Sequence, residues 1–99
     1  MKIKLINRTT EGELVLEGHL DSVTSVDAGK IFTETAERFN DVVLNMEGVE
    51  YVSSAGLRII KLLYMAMTKK NGTLTLTNVR KSVMEVFEIT GFAGLLTIK

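Results

Sequence analysis

The chain has no cysteine, no proline, no tryptophan and a single histidine, His19. Without cysteine there is no disulfide framework, no thiolate nucleophile and no cysteine metal site, and one histidine cannot form a histidine cluster; zinc and thiol redox chemistry are excluded. The missing proline leaves no obvious linker at which to divide the 99 residues. Net charge is missing too: twelve basic and twelve acidic residues cancel. No global field draws the protein to nucleic acid or to an anionic membrane, so a partner must be recognised locally. No apolar run reaches the length of a membrane span, and the start Met1-Lys-Ile-Lys-Leu-Ile-Asn-Arg8 lacks the apolar region and cleavage site of a signal peptide. A cytoplasmic protein without direct membrane insertion is expected. The phosphate-binding, dinucleotide-binding, serine-hydrolase and zinc-protease signatures are absent as well, and nothing argues positively for an enzyme.

What is present is an ordinary globular balance, 45% apolar and 24% charged. A chain of this size buries roughly two thirds of its extended surface, enough for one domain over residues 1–99 with a modest core. Lys2 to Ile6 and Glu13 to Gly18 alternate polar and apolar residues and predict a hairpin, with Asn7 to Gly12 as a loop longer than two residues. Gly18-His-Leu-Asp21 ends the second strand. Thr24, with Asp27 three residues on, resembles a capping box and predicts a helix whose core face is Ala28, Phe32, Thr35 or Ala36, and Phe39. His19 reads as a strand-end residue, since no acid or nucleophile is fixed beside it by sequence.

Asp41 to Met46 has the length and β-branched content of a buried strand, and Val49 to Met67 is the stretch around which the rest is placed. Glu47 and Glu50 read as a solvated loop. Ser53 and Ser54 stand where a helix N-cap is expected, followed by the small pair Ala55-Gly56. Free amides and the helix dipole make such a terminus hospitable to an anion, so the stretch is either a switch or only a cap. The helix has Ile59, Ile60, Leu63 and Ala66 on its core face, with Arg58, Lys61, Met65 and Thr68 opposite. Met65, with Leu57 and Tyr64 close by, makes the outer side more apolar than solvent alone requires. Lys69-Lys-Asn-Gly72 closes the helix and Thr73 to Thr77 alternates as a strand. Asn78 is placed to cap a third helix with the stripe Val79, Val83, Val86 and Phe87, ended by Gly91. Gly94 to Lys99 has room for one short strand. Alternating strands and helices imply parallel neighbours joined by right-handed crossovers, hence an α/β fold.

Three segments carry a resemblance over nearly the whole chain: Gly18-His-Leu-Asp21, Tyr51-Val-Ser-Ser-Ala-Gly-Leu57 and Phe87-Glu-Ile-Thr-Gly-Phe92. In order and spacing the chain resembles the STAS domain family, and within it the stand-alone bacterial anti-sigma factor antagonists. The resemblance implies a mixed sheet of four to five strands, the first antiparallel, with about three main helices. In such antagonists an anti-sigma factor that is also a serine kinase, with the histidine-kinase-like ATPase fold, phosphorylates a serine at the start of the second helix. The unmodified antagonist binds the kinase and frees the sigma factor, and a serine phosphatase restores it. Alignment on Gly56-Leu57 puts the phosphoacceptor at Ser54. Ser53, standing where many relatives have an acid, is the alternative, and Asn45 replaces an acid of the preceding strand. Partner contacts are implied at Asp21, Ser22, Val52, Ser53, Ser54, Gly56, Leu57 and Arg58, continuing along Lys61, Tyr64 and Met65.

The expected role is thus a non-enzymatic, phosphorylation-controlled protein switch without cofactor or metal. A second role is a constitutive scaffold, such as the STAS subunit of a lipid-transport ATPase complex, with Ser54 only a cap. Nucleotide binding at Ser53 to Gly56 is a third. A Leu57-Tyr64-Met65 patch on the outer side would suit a weak homodimer as well as a monomer.

Overall fold

The computed structural model describes residues 1–99. The two opening alternations pair as an antiparallel hairpin, β1 (Lys2–Arg8) with β2 (Glu11–Leu20), Lys2 lying opposite Glu17 and Arg8 opposite Glu11. The turn is Thr9 and Thr10 alone, shorter than the loop expected over Asn7 to Gly12. Opposite charges close this end: Arg8 forms ion pairs with Glu11 and Glu13, which lets polar residues that read as loop continue the ladder. Thr9 sits at φ 70°, a turn position ordinarily given to glycine.

Helix and strand then alternate: α1 (Thr24–Arg38), β3 (Asp41–Val52), α2 (Ser54–Lys69), β4 (Thr73–Thr77), α3 (Lys81–Thr90), the single turn α4 (Phe92–Leu95) and β5 (Thr97–Ile98). The sheet order is β1-β2-β3-β4-β5, with every pair after the first parallel. Successive crossovers of one hand in sequential order place the helices on one face. Leu14, Leu44 and Leu76 of the strands meet Phe32, Ile60 and Phe87 of the helices in one core cluster of 21 residues. The opposite face carries a polar line: Asn45 donates to Glu13 at 3.1 Å and accepts from Asn78 at 3.1 Å. The expected mixed α/β sheet with three main helices is the observed fold.

Several local expectations are corrected. α1 begins at Thr24, but its cap is Asp21, whose Oδ1 accepts from the Val23 and Thr24 amides at 3.0 and 2.9 Å. Thr24 is the reciprocal partner, accepting from the Asp21 amide at 2.9 Å, so the capping box lies three residues earlier than expected. β3 runs to Val52, and Glu47 and Glu50 belong to it and not to a loop. In α2 the buried stripe is Gly56, Leu57, Ile60, Leu63 and Met67, rotated away from Ala66, which is exposed. Asn78 does not cap α3; it has φ 55°, its side chain is committed to Asn45, and Arg80 precedes the helix. Gly91 does end α3, at φ 83°.

Two joins fix α1 to the second half of the chain. Lys70, just past α2, donates from Nζ to the carbonyls of Ala36 and Phe39 at 2.7 and 3.1 Å, satisfying the end of the neighbouring helix. The Thr73 amide donates to the Asn40 carbonyl at 2.9 Å where β4 starts.

Position in the helix, not hydrophobicity, sets the value of a residue in α3. Phe87 is fully buried whereas Ile89, two residues on, is 86% exposed. Phe87→Ala should cost about 3–5 kcal/mol in urea unfolding, and Ile89→Ala should stay within about 0.5 kcal/mol of the parent.

Candidate functional site

The site forms at the carboxyl ends of β2 and β3, where α1 and α2 begin. β3 reaches it through two irregularities in its pairing with β2, between Val15 and Glu17 and between Gly18 and His19. Each puts an extra residue into β3, strengthening twist and re-aiming side chains. Buried residues along β3 are accordingly Val42, Leu44 and Met46, then Val49 and Val52, a spacing of two that becomes three.

The bulged strand ends with Val52 paired to Leu20, and the Ser53 amide donates to the Leu20 carbonyl at 2.9 Å. α2 starts against the same carbonyl. A Cβ on Gly56 would lie 2.6 Å from Leu20 O and 2.9 Å from Val52 Cγ1, so this turn of α2 can seat only with glycine there. Ser53 takes the cap position with extended backbone, and its Oγ accepts from the Gly56 amide at 3.4 Å. Ser54 is the first helical residue, exposed, and its hydroxyl makes no hydrogen bond within the chain. The two serines, Ser54 expected as phosphoacceptor and Ser53 as the alternative, thus differ in their bonding: Ser53 caps the helix and Ser54 does not.

Around them, Ser22, Arg58, Lys61 and Met65 are exposed, while Asp21, Ser53 and Tyr64 are half-buried. Val52, Gly56 and Leu57 are buried, with Leu57 only 8% exposed. These three shape the site from beneath and present no side chain to a partner. The outer apolar patch expected from Leu57, Tyr64 and Met65 is instead Leu62 and Met65, each 52% exposed, because α2 turns Leu57 into the core. Val23, Val26 and Tyr51 are also largely exposed near the site. Tyr51 stood inside the resemblance motif, but the bulges that turn it outward carry no signal in the alternation. Its ring meets His19 edge-on at 5.9 Å between centroids, and His19 Nε2 lies 3.7 Å from Glu50.

The charge at this end is held by backbone geometry. Hydrogen bonding from the Thr24 amide, supported by Val23, holds the Asp21 carboxyl below its usual value. On the open face, hydrogen bonds from Arg8 and then Asn45 lower Glu13. Both groups have folded pKa values below their unfolded ones, about 3.9 for Asp and 4.3 for Glu. Their contribution is therefore complete above those values and is lost as pH falls through the lowered folded ones. Stability measured by denaturant midpoint should drop below about pH 4, and Asp21→Asn, which keeps a capping oxygen, should make that drop shallower. At neutral pH Ser53→Ala should cost about 0.5–2 kcal/mol. Ser54→Ala should leave the midpoint almost unchanged, since no internal bond is removed.

Residues 4–99 match the STAS domain family. A Bordetella bronchiseptica protein, BtrV, assigned as an anti-sigma factor antagonist, is 34% identical over 80 residues, covering 77% of this chain and 69% of its own length. The fold superposes on a Thermotoga maritima protein assigned the same role with a TM-score of 0.90 at 18% identity, over 97% of this chain and 84% of that one. It also superposes on the phosphorylated form of the Bacillus cell fate determinant SpoIIAA with a TM-score of 0.78 at 16% identity, over 99% and 91% of the two chains. A family match running almost from end to end, with a relative 34% identical, puts the chain in the STAS domain family, among its anti-sigma factor antagonists.

Proposed function

We propose that the protein is a phosphorylation-controlled switch with Ser54 as its phosphoacceptor, binding an anti-sigma factor serine kinase when unmodified and so releasing a sigma factor. The observation that carries this reading is the division of labour between the serines: Ser53 is spent on the cap, and Ser54 is exposed with its hydroxyl free. A kinase can reach Ser54 without unwinding α2. A phosphate adds about −1.5 to −2 charges at neutral pH, and the positive end of the helix dipole accommodates that charge locally. The backbone need not move; the added charge and bulk alter the surface that Ser22, Arg58, Lys61 and Met65 present. The phosphorylated form of SpoIIAA has the fold seen in this chain, which supports a switch without refolding.

The partners in this reading are a serine kinase of the histidine-kinase-like ATPase fold and a serine phosphatase. Phosphate mapping on protein taken from its native cells, paired with affinities for the cognate anti-sigma factor, tests it. The expected result is one phosphate on Ser54, with Ser54→Asp weakening binding by about tenfold or more, some 1.4 kcal/mol, and Ser54→Ala binding like the unmodified chain. Equal affinity of the two variants would remove the charge mechanism. Phosphate on Ser53 would move the acceptor. An unmodified protein with one constant partner in every condition would make the surface a scaffold with Ser54 idle.

A further inference from the structure

α2 is a helix of 16 residues that carries arginine and lysine but no carboxylate. Arg58 stands one turn after Ser54, at i+4, and both residues are exposed. Residues four apart share a helix face, with Cβ atoms about 5–6 Å from one another. Long helical side chains lean toward the N-terminus, which directs the Arg58 stem along the face on which Ser54 stands. The other positions that Arg58 can meet along the helix are Ala55, Lys61 and Leu62, and none of them is negative.

Other elements supply no partner either, for Arg58 is in no ion pair. At this end of the sheet Asp21 is occupied with the Val23 and Thr24 amides, and Glu50 lies 3.7 Å from His19. Arg58 is thus a cation whose acceptor position on the helix holds a neutral hydroxyl. A phosphate on Ser54 turns that hydroxyl into three acceptor oxygens carrying about −1.5 to −2 charges. With no acid in the first turn of α2, nothing within the helix competes with the phosphate for the guanidinium.

We propose that Arg58 is the internal receptor of the Ser54 phosphate, holding it in an i, i+4 ion pair along the outer face of α2. The inference rests on Ser54 being the phosphoacceptor. A guanidinium presents a planar fork of donors that matches two phosphate oxygens, a geometry an ammonium cannot reproduce. The pair changes the partner surface twice over: position 54 gains negative charge, and the free guanidinium one turn along is withdrawn from the partner. Arg58 is a positioning residue here, fixing where the phosphate points and taking no part in the transfer itself.

The test uses the full chain with phosphoserine installed at position 54 during synthesis, so the pair is examined separately from whether cells phosphorylate the chain. Titration of the phosphate is followed by ³¹P NMR at low salt. A neighbouring cation favours the dianion, so the second proton should leave at a lower pH in the parent than in Arg58→Gln, by about half a pH unit. Arg58→Lys should fall between the two, and Lys69→Gln, far along the same helix, should titrate like the parent. Raising the salt to about 1 M should close the gap. In the ¹⁵N-labelled chain the Arg58 Nε–H resonance should move on phosphorylation. Arg58 is exposed and outside every ion pair, so the unmodified Arg58→Gln chain should keep the parent's urea midpoint. The same titration in Arg58→Gln as in the parent would mean that the helix amides or water alone hold the phosphate and would overturn the proposal. A Lys69→Gln effect as large as that of Arg58→Gln, or an Arg58 Nε–H signal indifferent to the phosphate, would overturn it too.

Discussion

The structure depends on how closely α2 approaches the end of β2. The Leu20 carbonyl accepts from the Ser53 amide and leaves room for nothing larger than a hydrogen at position 56. From that approach follow the direction in which α2 leaves the sheet, the burial of Leu57 beneath the site, and the exposure of Ser54 at its mouth. The contact is also what the β3 bulges serve: two extra residues bring Val52 beside Leu20, so the helix starts against a carbonyl from the neighbouring strand.

Capping and exposure are divided between neighbouring residues here. Ser53 satisfies a helix amide and Ser54 satisfies none. Val52, Gly56 and Leu57 hold the surface in place without reaching it. Asp21 does for α1 what Ser53 does for α2, so the two helix starts beside the site are both tied down by short side chains on backbone amides. Ser54 therefore stands exposed between two helix starts that are both tied down.

Much of this was legible in the sequence wherever a period was clean. β4 alternates at Thr73 to Thr77, α1 shows its core face through Phe32 and Ala36, and the order of strands and helices implied the parallel sheet. The second half of β3 was not legible, because bulges change the spacing of buried residues from two to three and Glu47 to Tyr51 then resembles a loop. Asp21, Ser22, Thr24 and Ser25 are all chemically able to cap, and only the three-dimensional path of the chain selects Asp21. Asn78 carries a capping side chain too, yet Asn45 on the adjacent strand claims it. The stripe of α2 was misplaced by part of a turn, since Ala66 and Leu57 are both apolar and the pattern alone could not say which one the sheet would cover. The serine pair was located correctly as a helix start, but which serine does the capping is a property of backbone angle and hydrogen bonding.

The Lys70 ammonium gives the two long helices a shared fate. Because it sits just beyond α2 and closes the last carbonyls of α1, fraying at the end of α2 withdraws the plug from α1, and loosening of α1 leaves a cation without its acceptors. The far ends of the two helices are in this respect one cooperative opening unit, anchored by a single side chain at the end remote from the serines.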